Sequence, residues 1–120
     1  MKKVLLVDDE PHVILVLKQF LERSGYSVCS ALNGELALAM IEEEQPDVII
    51  TDVQMPKMGG IELCNNILER HPELSQLIII ITSRTDREIR TWAEQFDYVE
   101  LMEKPLSMRR LVIRLNEYFT

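Results

Sequence analysis

Apolar residues along the chain follow two alternating periodicities. Short continuous runs rich in valine and isoleucine occur at Val4–Val7, Val48–Ile50 and Leu77–Ile81, with weaker runs at Tyr26–Cys29 and Tyr98–Met102. Runs that are continuous rather than alternating suit strands buried on both faces of a parallel sheet. Between them, apolar positions recur at helical spacing. Val13, Leu17, Phe20 and Leu21 make one stripe, Ala37, Met40 and Ile41 a second, and Ile61, Cys64, Ile67 and Leu68 a third. Ile89, Trp92, Ala93 and Phe96 predict a fourth helix, and Met108, Leu111, Val112, Leu115 and Phe119 a fifth. Punctuation agrees with these spans: Pro11 suits a first helical turn, Gly25 a helix C-terminus and Asn33 an N-cap. Thr85 with Glu88 reads as a capping box, and His71-Pro72 closes the third helix. Five strand–helix units in strict alternation predict an open, doubly wound α/β sheet. In that architecture ligands collect at the carboxyl ends of the strands, near the switch in strand order.

The residues just after each run therefore carry the chemistry. Asp8, Asp9 and Glu10 follow the first run, and Asp52 follows the third. Each alone reads as a cap or turn residue. If the first and third strands are neighbours, however, three aspartates converge. Two carboxylates ~4 Å apart repel by about 4 kcal/mol at an effective dielectric of ~20, so a third demands bound protons or a counter-charge. Lys104 follows the fifth run, Thr82 ends the fourth with Ser83 beside it, and the Gly59-Gly60 loop is close by. Carboxylates, a hydroxyl and a lysine suit an oxygen-liganded Mg²⁺ together with a phosphoryl group. Asp52 is then available as the nucleophile that forms an aspartyl phosphate.

Composition narrows the field. With 120 residues, 47% hydrophobic and 28% charged, the chain is expected to form one globular domain over 1–120. Thirteen basic against twenty acidic side chains give a formal charge of −7, which argues against direct nucleic-acid or membrane binding. Cys29 and Cys64 lie 35 residues apart, at no metal-ligand or redox spacing, so reduced thiols in a cytoplasmic protein are expected. Met1-Lys2-Lys3 leads into only four apolar residues, and neither a signal peptide nor a membrane span is expected.

The whole chain resembles the receiver domain of two-component response regulators. The resemblance rests on Asp8-Asp9, Asp52 followed by Met55-Pro56, Thr82, and Lys104-Pro105, with 30 residues from Asp52 to Thr82 and 52 from Asp52 to Lys104. It implies a flavodoxin-like (βα)5 fold with strand order 2-1-3-4-5. It also implies a signalling switch rather than a turnover enzyme, one that catalyses only its own phosphorylation and slow dephosphorylation. By the same resemblance Asp52 is the phosphoacceptor, with a histidine kinase or histidine phosphotransfer protein as donor. Mg²⁺ (or Mn²⁺) would be held by Asp9, Asp52 and the Gln54 carbonyl, with Asp8 acting largely through water. Thr82 and Lys104 would contact the phosphoryl group, and the bond to Pro105 would be cis. A second copy of the chain is a further implied partner, through the face of the fourth helix, fifth strand and fifth helix.

Two departures fall on the output side. Asp97-Tyr98-Val99 stands where the family usually has Gly-Ala-Asp, and Leu101 where it usually has Tyr or Phe. By the resemblance, Thr82 and Leu101 hold the two switch positions. Tyr98, three residues before Leu101, should face the opposite side in a regular strand. Three other readings fit less well. A haloacid dehalogenase-type phosphatase wants an aspartate two residues after the nucleophile, where this chain has Gln54. A flavin carrier would meet Asp8-Asp9-Glu10-Pro11 instead of a hydroxyl- and glycine-rich loop. A pseudo-receiver would lack one of the acidic, hydroxyl or lysine members. His12 and His71 read as solvated or structural, the six methionines as core filler, and Trp92 as part of its helix's packing stripe.

Overall fold

The computed structural model describes residues 1–72, 76–83 and 87–120. Strands β1 (Lys3–Val7), β2 (Ser27–Ala31), β3 (Val48–Asp52), β4 (Leu77–Thr82) and β5 (Val99–Glu103) alternate with five helices. These are α1 (Pro11–Arg23), α2 (Gly34–Glu44), α3 (Gly60–Arg70), α4 (Arg87–Glu94) and α5 (Met108–Tyr118). All strand pairs are parallel, in the order β2-β1-β3-β4-β5. The continuous apolar runs are the interior strands β1, β3 and β4, and the two weaker runs are the edges. Side-chain alternation divides the interior strands between two cores. Leu5, Val7, Ile49, Ile78 and Ile80 meet α2, α3 and α4, whereas Val4, Leu6, Ile50, Ile79 and Ile81 meet α1 and α5.

The helix boundaries have local causes. Pro11 opens α1, whose chain turns away at Gly25 with φ of 96°, a value that favours glycine. The Asn33 side chain accepts from the Leu36 N–H at 2.9 Å to cap α2, and the Ser107 hydroxyl accepts from Arg110 N–H at 3.2 Å to cap α5. His71 follows α3 as its C-cap. The Thr85–Glu88 capping box lies partly outside the described residues. Periodicity omitted Ile14, Leu38 and Leu63, all buried, while Phe20 and Met40 are only half-buried. A helix laid on a sheet buries a stripe wider than the narrow spacing chosen for these patterns.

One expectation is overturned. Tyr98 packs against the same core as Leu101, beside Phe96 at 6.0 Å between ring centroids. It precedes β5 rather than belonging to it, so the alternation rule for strands does not reach it.

Candidate functional site

Parallel pairing of β1 with β3 places Val7 opposite Thr51, so the residues that follow, Asp8 and Asp52, emerge side by side. Carboxylate oxygens of Asp8, Asp9 and Asp52 lie within 4.8 Å of one another. Asp52 (7% exposed) and Asp8 (8%) are buried, while Asp9 faces solvent. Capping does not account for the group, because α1 has no side-chain cap; Asp8 Oδ1 instead accepts from the Glu10 N–H at 2.9 Å.

The counter-charge is in place. Lys104 Nζ donates to Asp52 Oδ2 at 3.1 Å, and the Gln54 N–H donates to Oδ1 at 3.3 Å. Lys104 is carried there by the sheet: its N–H donates to the Thr82 carbonyl at 2.8 Å, extending the β4–β5 ladder by one residue. The Lys104–Pro105 peptide bond is cis. Thr82 is 2% exposed at the end of β4, and Ser83 is exposed. Gln54 shares a shallow depression with Asp9, Met55 and Pro56. Leu101 is half-buried in the core under α2, α3 and α4, opposite Ile80 of β4.

Burial raises the Asp8 carboxyl above its ordinary value, and the charges of Asp52 and Asp9 raise it further. The Glu10 N–H and the Lys104 ammonium oppose that rise. A site with three converging carboxylates and one lysine remains short of positive charge. Its ligand atoms are all oxygens, with no imidazole or thiolate among them, and such a set fits a hard divalent cation such as Mg²⁺ or Mn²⁺.

Sequence reasoning passed over two features. The first is the seat of α3 on the Asp52 backbone. The Gly60 N–H donates to the Val53 carbonyl at 2.9 Å, and a Cβ on Gly60 would stand 2.5 Å from the Asp52 carbonyl oxygen. The paired glycines were the available signal. The second is the apolar wall beside Asp52, formed from α1 and the approach to α5, for which the sequence held no signal because its residues are far apart in the chain.

This arrangement has known counterparts. The response regulator receiver domain family matches residues 4–116, and the chain belongs to that family, the receivers of two-component systems. It is 38% identical over 115 residues to the alkaline phosphatase synthesis transcriptional regulatory protein PhoP of Bacillus subtilis, covering 96% of this chain and 47% of that protein. To the transcriptional regulatory protein ResD of the same organism it is 34% identical over 114 residues, covering 95% and 46%. The chain thus spans about half the length of the curated relatives it matches. Among solved structures, chemotaxis protein CheY4 of Vibrio cholerae superposes with a TM-score of 0.88 at 30% identity, covering 98% of each chain. Response regulator protein TrrA of Thermotoga maritima, in complex with Mg²⁺ and BeF, superposes at 0.83 with 29% identity and 98% coverage of each chain. Among the described residues, no helix is long and apolar enough to cross a membrane.

Proposed function

We propose that residues 1–120 form one receiver domain that accepts a phosphoryl group on Asp52 in a Mg²⁺-dependent reaction. The observation that carries this reading is the buried Asp52 carboxylate, paired with Lys104 at 3.1 Å inside a cluster of three aspartates. The donor is the phosphohistidine of a histidine kinase or phosphotransfer protein. An Asp52 oxygen bonds to phosphorus as the donor's N–P bond breaks, and the electron pair stays on the imidazole nitrogen. Asp9, Asp52 and the Gln54 carbonyl would hold the metal, with Asp8 acting through water, and bound Mg²⁺ supplies charge neutralisation for the incoming phosphoryl oxygens. Lys104 shifts from the carboxylate it now pairs with to a phosphoryl oxygen, and the Thr82 hydroxyl takes another. Asp52 is regenerated by slow hydrolysis, so the domain is a switch rather than a turnover enzyme.

The partners follow from charge. Residues 84–120 hold seven basic and seven acidic side chains, so the entire formal charge of −7 lies before them. A balanced surface on α4, β5 and α5 suits a second copy of the chain, and the acidic remainder gives nucleic acid and anionic lipid no purchase. Unbridged Cys29 and Cys64 accord with a cytoplasmic setting.

Treating the purified protein with acetyl phosphate and Mg²⁺ should add one phosphoryl group by intact mass. Asp52→Asn should abolish the addition, and Asp9→Asn should weaken it severely. Labelling that proceeds equally well in chelator, or that survives Asp52→Asn, contradicts the reading.

A further inference from the structure

Asp52 lines a pocket of about 360 Å³ whose lining combines charged groups with an apolar wall. Asp8, Asp52 and Lys104 are its polar members around the acceptor, and Glu10 and His12, 3.3 Å apart, add a second polar pair. Val13, Val16 and Leu17 of α1, Ile81 of β4, and Leu106 and Met108 where α5 begins make the apolar wall. Core packing does not require all of this wall. Ile14, Leu17 and Leu21 already bury the inner stripe of α1, yet Val16, on the outward side of the helix, is 47% exposed. Water entering the apolar part would find few hydrogen-bonding partners, so an apolar group displaces it at little cost. Lys104, 3.1 Å from Asp52, fixes where the anion sits.

We propose that this pocket is a leaving-group site that selects small phosphoryl donors by the apolar bulk of the group they lose. The occupant is the alkyl chain of an acyl phosphate, its phosphoryl end on Asp52 and Lys104 and its chain against the apolar wall that includes Val16 and Leu106. The inference rests on Asp52 being the phosphoacceptor. An Asp52 oxygen bonds to phosphorus, the bond between phosphorus and the acyl oxygen breaks, and the electron pair leaves with that oxygen as a carboxylate. No proton or further reactant is needed. An acetyl group fills only part of the space, whereas a butyryl or hexanoyl chain reaches the apolar wall. A fully buried methylene favours binding by about fourfold, and in a pocket open to solvent the gain from acetyl to butyryl should be roughly threefold to tenfold.

Second-order rate constants for acetyl, butyryl and hexanoyl phosphate, read by intact mass in Mg²⁺, test the proposal. Acetate and butyrate are nearly equal in basicity, so leaving-group chemistry does not itself separate the first two. The expected order is hexanoyl and butyryl ahead of acetyl, with Val16→Ser and Leu106→Ser each flattening the butyryl-to-acetyl ratio. Labelling at equal or falling rates along the series overturns the proposal and leaves the wall to a protein partner's side chain. A gradient that persists undiminished in both variants also overturns it, by moving the selection elsewhere. No labelling by any donor removes the phosphoacceptor reading itself, and the inference with it.

Discussion

At the scale of single residues, two positions carry effects out of proportion to their size. A Cβ on Gly60 would meet the carbonyl of Asp52, a rigid backbone atom, at 2.5 Å, whereas a Cβ on Gly34 would meet side-chain atoms of Met58, Cγ and Sδ at 2.7 Å and Cβ at 2.8 Å. Gly60→Ala should therefore cost about 1–3 kcal/mol in urea unfolding and slow phosphorylation of the displaced Asp52. Gly34→Ala, at the start of α2, displaces a side chain rather than backbone and should cost less than Gly60→Ala. Equal costs at the two glycines would remove the argument from the Asp52 backbone. Asp8 is the second position. Burial, with Asp52 and Asp9 adding to it, raises its folded pKa above the ordinary 3.8. The folded state then holds more protons than the unfolded state between those two values. Stability of the metal-free protein consequently falls as pH rises across that window and stays lower above it. Asparagine keeps the oxygen that accepts from Glu10 and removes only the charge. In chelator at pH 7, Asp8→Asn should melt about 2–5 °C above wild type, with the gap closing below about pH 4 and a smaller gain from added Mg²⁺. A lower melting temperature at pH 7 would show that the cluster is not repulsive.

At the scale of elements, β4 and β5 link the site to the outer face. Thr82 ends β4, and Leu101 lies beside Ile80 two residues before β5 ends. Tyr98 shares the Leu101 face, so its ring is not excluded by direction. It sits at the opposite end of β5 from Lys104, however, three residues and ~10 Å of strand before Leu101, too far to follow a movement of Thr82. Amide chemical shifts with and without a beryllofluoride phosphoryl mimic should register this. Thr82→Ala should shrink the response in the loop after Thr82 and in α4 much more than Leu101→Ala does; the reverse ranking contradicts the route. The strands were legible in the sequence because full burial leaves runs such as Leu77–Ile81 with no polar interruption. Asp8, Asp9, Asp52 and Lys104 were legible because the fold class brings strand ends together. Ile14, Leu38 and Leu63 were not, because the width of a buried stripe depends on what the helix lies against. Tyr98 was misread because a two-residue period holds only inside a strand, and the β5 boundary is set by pairing with β4.

Across the whole molecule, charge and topology converge on one point. Parallel order β2-β1-β3-β4-β5 puts the carboxyl ends of β1, β3, β4 and β5 along one rim. Residues 1–83 carry the net charge of −7, and its densest buried part is the aspartate cluster. Cations relieve the repulsion along such a rim, and Lys104 supplies one of them. The apolar wall could not be read in advance, since it depends on how α1 and the start of α5, distant in sequence, meet at that rim. The central claim is that this rim phosphorylates itself at Asp52. Reductive trapping tests it most directly, because borohydride converts an aspartyl phosphate to homoserine at the acceptor position. After acyl phosphate treatment in Mg²⁺, peptide mapping should find homoserine at position 52 alone, and none when chelator replaces the metal. Homoserine at position 8 or 9, or its absence from position 52 in Mg²⁺, would contradict the account.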